Sequence, residues 1–378
     1  MKRLIILVLM ICLSAAALVL PTAAAEMRGL WVDAFHPGFK TPSETTTMVE
    51  KAKESNFNAL LVQVRKRGDV YYRSDIEPMA VDVAEGYDPL ADVIRKAHAA
   101  GIEVHAWITV YECYHPVRWK PEDMRLIHAK HPEWLTMDEK GCTLLPADKK
   151  FLDPGLKEVQ DYLVGIAREI AVKYDVDGIH LDDIRYPLPE SGYNPVALER
   201  FSKATGRTDR PTADDKQWCD WRRNEVTSLV RLIYGAVAQA KRHVKVSAAV
   251  FADPVGARDL CLQDWAGWLS EGILDFAVPM IFEDDNRAYA QVLADCLAAG
   301  KGRRHVYIGH AGWKMDSGKS LDRIGVARRA GAPGTVVFSY WYCSQLADGP
   351  GAGLIRDLKG GLFARPDSLP AMEWKTAR

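Results

Sequence analysis

Eight short apolar runs, separated by stretches of helical spacing, set the tightest limit on what this chain can fold into. The runs are RGLWVDAF, ALLVQVR, EVHAWITV, DGIHLDDI, KVSAAVF, FAVPMIF, HVYIGHA and TVVFSYWY. Between them apolar residues return every three or four positions, over 44–55, 88–100, 156–174, 218–241 and 288–300. A short apolar run bounded by helices is the sequence form of a strand buried on both faces, and strand–helix alternation makes successive strands parallel. Eight such units predict an α/β fold, a TIM-type (β/α)8 barrel, in one domain over 26–365. No low-complexity linker and no short repeat interrupts the rhythm.

The two ends of the chain read differently. Lys2 and Arg3 precede an apolar run over 4–20, and small residues follow at Ala23 and Ala25. That is the pattern of a secretory signal peptide over 1–25, cut after Ala25. No second apolar stretch of that length follows, so the expectation is a secreted or periplasmic protein with no stable membrane insertion after cleavage. The tail over 366–378 is polar and contains proline, and is expected to fray. Lysine and arginine total 49 against 50 aspartate and glutamate, a net charge of −1 with no electrostatic footprint for nucleic acid. The cysteine spacing fits no zinc pattern. Cys113 and Cys142, which share one connection, are the favoured disulfide pair.

Two connections are unusually long, 111–154 after the third strand and 185 to about 215 after the fourth. Both leave C-terminal strand ends, where barrel enzymes build their sites, and both are candidates for a lid or a cleft wall. Side chains alternate along a strand, so Gly178, His180 and Asp182 share one face while Ile179, Leu181 and Asp183 share the other. The apolar pair belongs against the helices, which turns His180 and Asp182 into the barrel with Asp182 nearest the rim. The same parity turns Gln63 and Arg65 inward from the second strand, and His105, Trp107 and Thr109 from the third.

Each of these residues also has a purely structural reading. Asp183 is two residues from Arg185 and fits an ion pair. His105 and His180 fit satisfied core histidines, and Trp107 fits either packing or a stacking platform for a sugar ring. Arg65 fits a partner that keeps Asp69 or Asp182 ionised.

The stretches RGLWVDAF, LLVQVRKRGDVYYRS, GIEVHAWITVY, HPEWL, LDPGLKEVQDYL, DGIHLDDIRYP and DWRRNEVTSLV resemble, in order, the glycosyl hydrolase-like 10 family of exported bacterial proteins. The resemblance spans nearly the whole chain after residue 25. It implies a TIM-type barrel and a glycoside hydrolase, with some members similar to enzymes that cut peptidoglycan glycan strands. Onto this sequence it carries Gln63, Arg65, Gly68, Asp69, His105, Trp107, Asp177, His180, Asp182, Asp183, Tyr186 and Pro187. The third strand continues as ITVYECYH where relatives often have phenylalanine, asparagine and arginine, which points to a different substrate.

Glycoside cleavage usually uses two carboxyl groups, one protonated and one ionised. Asp182 is assigned the ionised role. For its partner Asp253, which shares the parity of Ser247 and Phe251, stands ahead of Glu283 and Glu112. The expected catalytic set is therefore Asp182, Asp183 and Asp253. The expected carbohydrate-binding set is Gln63, Arg65, Asp69, His105, Trp107, His180 and Tyr186, and no metal or cofactor is expected. Two alternatives stand beside this reading. One is a metal-dependent carbohydrate deacetylase using His180 and Asp182, and the other is a non-catalytic carbohydrate-binding barrel drawing on the 11 tryptophans.

Overall fold

A computed structural model describes residues 25–116, 125–143, 145–300, 304–344 and 346–376. The predicted signal peptide, Ala25 apart, lies outside the described residues. Eight parallel strands make the barrel: β1 Met27–Val32, β2 Ala59–Arg65, β3 Glu103–Thr109, β4 Gly178–Asp182, β5 Lys245–Phe251, β6 Phe276–Ile281, β7 in two pieces (His305–Val306 and Ile308–Ala311) and β8 Gly334–Phe338. Each strand pairs with the next, and β8 returns to β1 from Met27↔Gly334 to Trp31↔Phe338, closing the cylinder.

Every residue of β1 and β2 is buried, outward side chains under helices and inward ones in the barrel, which is why these strands read as apolar runs. The helices Pro42–Glu54, Pro89–Ala99, Lys157–Lys173, Lys216–Ala240 and Asn286–Gly300 fall within two residues of their predicted spans. Their starts are set locally. Thr41, Asp88 and Asp215 accept the amides of Glu44, Ala91 and Trp218, and proline occupies the first turn of the first two helices, where its missing N–H costs nothing.

Between β3 and the helix Lys157–Lys173 the chain forms an antiparallel ribbon, Glu112–Tyr114 with Lys150–Phe151. The ribbon buries Cys113, whose Sγ lies 3.4 Å from the Lys150 carbonyl, while Cys142 sits on the surface. No disulfide joins them, so that expectation is corrected: sharing a connection in sequence does not turn two side chains toward each other.

The C-terminal tail, described to residue 376, packs against the barrel instead of extending from it. Met372 is buried with Leu369 and Trp374 against the lower barrel interior. Trp374 Nε1 and Lys375 Nζ reach the two carboxylate oxygens of Asp275 at 2.9 and 2.8 Å. Polar composition concealed three apolar side chains that cover the open N-terminal end of the barrel.

Candidate active site

At the opposite, C-terminal end the strands open into a cavity of about 370 Å³, lined by Trp31, Trp107, Asp182, Ala249, Met280, Phe282, Trp313, Phe338 and Tyr342. A larger hollow of about 630 Å³ lies outside the barrel between the helices Asn286–Gly300 and Ser317–Arg329. It is lined chiefly by alanine, leucine and glycine, so the chemistry belongs to the aromatic mouth.

Asp182 ends β4 and is the only carboxylate in the cavity wall among the described residues. Trp107 Nε1 donates to its Oδ2 at 3.0 Å and the Asp183 amide donates to its Oδ1 at 2.8 Å. Its carbonyl accepts the Val110 amide at 2.8 Å, which ties the ends of β3 and β4 together. Burial pushes its pKa up to about 7, and the neighbouring Asp183 charge pushes the same way. The two N–H dipoles and Arg185 pull against this without cancelling it. Asp183 turns the chain out of the strand with φ +51°, and Arg185 Nη2 holds its carboxylate at 2.6 Å, as the ion-pair reading anticipated.

His180 points inward as predicted, one layer below. The indole N–H of Trp31 can only donate, so Nε2 of His180 accepts it at 3.2 Å and Nδ1–H faces Ser247 Oγ at 2.9 Å. Burial holds this histidine well below its usual pKa, hence neutral. Both ring nitrogens are engaged, which removes the ligand that the metal-dependent alternative required. His180 lies beneath the cavity, bonded to its wall residue Trp31.

Other expected residues lie elsewhere. A register irregularity between Gln63 and Arg65 pairs Arg65 with Ile108, an outward position, so the parity argument breaks at that residue. Arg65 is wholly buried, chelates Glu77 (Nε to Oε2 at 2.8 Å) and caps the Val110 carbonyl at 3.0 Å. It holds neither Asp69 nor Asp182. Asp69 sits buried in the turn after β2, 3.6 Å from Lys66, and accepts the Arg67 amide. Gln63 bridges the Ala34 amide and Thr109 Oγ1 at 2.9 and 3.0 Å, linking β1 to β3.

His105 lies near the N-terminal end beside Glu103, its ring against the Gly178 backbone. A Cβ on Gly178 would come 2.1 Å from His105 Nδ1, so this glycine exists to admit the ring. Tyr186 is buried under Arg222, away from the cavity. Asp253 follows the end of β5. It is exposed and caps the next helix through the Val255 amide at 3.0 Å, because parity holds only while the strand continues. Glu112 is bound by Arg67 and Lys149 at 2.5 and 2.9 Å, and Glu283 is exposed.

Several mouth residues escaped the sequence reading. The parity of RGLWVDAF places Gly29, Trp31 and Asp33 on one face, a signal that was available. Asp33 accepts His36 Nδ1 and Ser339 Oγ, each at 2.7 Å; against the upward push of burial these bonds hold its pKa below the usual range. His36 stacks on Trp341 with ring centres 5.2 Å apart, and Tyr342 meets its edge. Trp313, Phe282 and Tyr342 come from connections, where no periodicity announces direction.

A closed (β/α)8 barrel with one poised acid in an aromatic C-terminal mouth defines a glycosidase-type barrel. Solved structures agree on the fold. The PgaB (BpsB) glycoside hydrolase domain from Bordetella bronchiseptica superposes with TM-score 0.64 at 15% identity, covering 83% of this chain and 94% of that one. The catalytic domain of β-amylase from Paenibacillus polymyxa gives 0.62 at 14% identity, covering 90% and 99%. The chain belongs to the glycosyl hydrolase-like 10 family, whose profile matches residues 26–323. Among its relatives, glycosyl hydrolase YngK of Bacillus subtilis is 26% identical over 88% of this chain and 68% of its own length. Glycosyl hydrolase DigH of Escherichia coli K12 is 27% identical over 79% of this chain and 76% of its own. The chain is accordingly a glycoside hydrolase.

Proposed function

We propose that this protein is an exported hydrolase of poly- or oligosaccharides, with peptidoglycan glycan strands as the first substrate, and that Asp182 is its proton donor. The observation that carries the role is the placement of Asp182 as the one carboxyl among the described residues in the wall of an aromatic cavity, where burial pushes its pKa up to about 7. A carboxyl group ionised at pH 4 cannot protonate a leaving group at pH 7, whereas one poised near 7 can. This reverses the ionised role that its strand position had assigned to it.

In this reading the sugar ring packs its apolar faces on Trp107, Trp31 and Tyr342, which also exclude water. Trp107 holds Asp182 Oδ2 through its indole N–H. Asp182 gives its proton to the glycosidic oxygen as the bond to the anomeric carbon breaks, a water molecule adds to that carbon, and the proton this water releases returns to the Asp182 carboxylate. Export is supported by the N-terminal apolar run and its small-residue exit. The polymer is supported by the family resemblance. Reducing-end release from a panel of polysaccharides and purified glycan strands, comparing wild type with Asp182→Asn, tests the proposal. Equal release by the two proteins would refute it.

A further inference from the structure

Four of the sequence motifs, HPEWL, LDPG, RYP and DWRRNEV, contribute nothing to the cavity wall, yet they converge on one buried place. Asp153 of LDPG is wholly buried, its Oδ1 taking the Gly155 amide at 2.8 Å and its own amide reaching the Trp134 carbonyl of HPEWL at 2.8 Å. Tyr186 of RYP and Tyr111, two residues beyond β3, are both buried within reach of its charge. Arg222 of DWRRNEV lies over the Tyr186 ring at 5.5 Å. Gly192, with φ +109°, has no room for a side chain between Arg222 and Tyr186, each 2.9 Å from where a Cβ would stand.

Among the described residues, the hydroxyls of Tyr111 and Tyr186, Trp218 Nε1 and Arg222 Nε have no hydrogen-bond partner, and Asp153 Oδ2 and Thr136 Oγ1 make no hydrogen bond of normal geometry, although the Thr136 hydroxyl is near enough to pull the Asp153 pKa down against burial. Buried polar atoms are nearly always partnered, so six exceptions in one cluster are not scatter. A water molecule among the three central atoms would satisfy them at once, donating to Asp153 Oδ2 and accepting from both tyrosine hydroxyls.

The cluster also joins the two long connections that flank Asp182. The Gly192 and Tyr193 amides both reach the Met137 carbonyl at 3.0 Å, crossing from one connection to the other, and Arg222 Nη1 binds the carbonyls of Pro189 and Ser191 at 2.6 and 2.7 Å. Next to Tyr111, the Val110 amide binds the carbonyl of Asp182.

We infer that Asp153, Tyr111 and Tyr186 bind an internal water and, as positioning residues, clamp the connections that fix Asp182. The kinetic half of this inference rests on the glycosidase reading; the water does not. Tyr111→Phe and Tyr186→Phe each remove a single hydroxyl. Each is expected to lower Tm and to reduce kcat about tenfold with KM within twofold, the signature of misplaced chemistry rather than lost binding. Because one water serves both hydroxyls, the double variant should lose little more than the worse single variant. Asp153→Asn, which can still bond the water, should retain more kcat than Asp153→Ala.

A crystal structure should show density within hydrogen-bonding distance of the three atoms. A rise in Tm on removing a hydroxyl, or full additivity of the two losses, or no density, overturns the water. Unchanged kcat in both Phe variants overturns the positioning role. If the wild-type protein cleaves no glycan the functional reading fails, and the melts and the density still decide the water.

Discussion

At the N-terminal end of the barrel Asp275 accepts from Trp374 Nε1, Lys375 Nζ and the Val246 amide, at 2.9, 2.8 and 2.7 Å. Glu103, at the same end, lies between His105 and Lys245, which against the pull of burial hold its pKa down at about 2. At the C-terminal mouth Asp182 has two N–H dipoles, aromatic walls and a second aspartate for a neighbour, and its pKa rises to about 7. The same functional group is thus fixed as a charge at one end and left able to carry a proton at the other. Cations at the base make carboxylates structural, and dipoles in place of cations at the mouth keep one reactive. Glu77, clasped by Arg65 on the outer side of β2, is likewise held by a cation and is structural.

The sharpest way to break this contrast is to neutralise one carboxylate at each end. Asp182→Asn should lower kcat/KM about 10³-fold, the usual worth of a general acid, whereas Asp275→Asn should leave kcat/KM of folded protein within a few-fold. Equal losses would mean that the base is part of the catalytic machinery. Next in size is stability. Asp275→Ala leaves Lys375 facing an emptied site and should cost about 3 kcal/mol in urea denaturation. Arg65→Met should cost a similar amount by stranding Glu77, without the loss of kcat expected of a cavity residue.

The pH dependence sharpens the contrast further, since the two shifts have opposite signs. A carboxyl whose folded pKa is raised stabilises the fold below its unfolded pKa, near 4, and loses that contribution as pH climbs through about 7. One whose pKa is lowered stabilises above its unfolded pKa and loses the contribution as pH falls toward about 2. Relative to wild type, the Tm of Asp182→Asn should therefore improve between pH 5 and pH 8, while that of Glu103→Gln should improve only on acidification. Activity should fall on the alkaline side with an apparent pKa near 7, because the acid must be protonated. Trp107→Phe removes a donor that favours the ionised form and should move that limb to higher pH, with a raised KM from the poorer platform. The smallest effect belongs to Asp183→Asn, a few-fold loss of kcat with the limb moving to lower pH. A shift in the same direction for both variants would contradict the account of Asp182.

The barrel, the order of its strands, its main helix boundaries, and the inward pair of Trp107 and Asp182 were legible in the sequence, because alternation along an unbroken strand and capping at a helix start are local properties of neighbouring residues, whereas the run TVVFSYWY turns into a helix after Phe338. The same rule reached too far at Arg65, where an irregularity shifts the register, and at Asp253, where the strand has already ended. His105 and His180 were rightly turned inward, but depth along the barrel separates a base residue from one beneath the cavity, and depth depends on which strands become neighbours. Trp31 and Asp33 obeyed the parity and needed only to be counted. Trp313 and Tyr342 in the mouth, and Trp374 under the base, lie outside regular strands, where no periodicity states direction. By itself, the sequence determined which segments become strands and which side chains of an unbroken strand face inward, since those follow from one residue's relation to the next. The closing of β8 onto β1 and the folding back of the connections decided that Asp182 would stand alone among aromatic rings with its proton retained, because burial and the partners that oppose it are set by residues far apart in the chain.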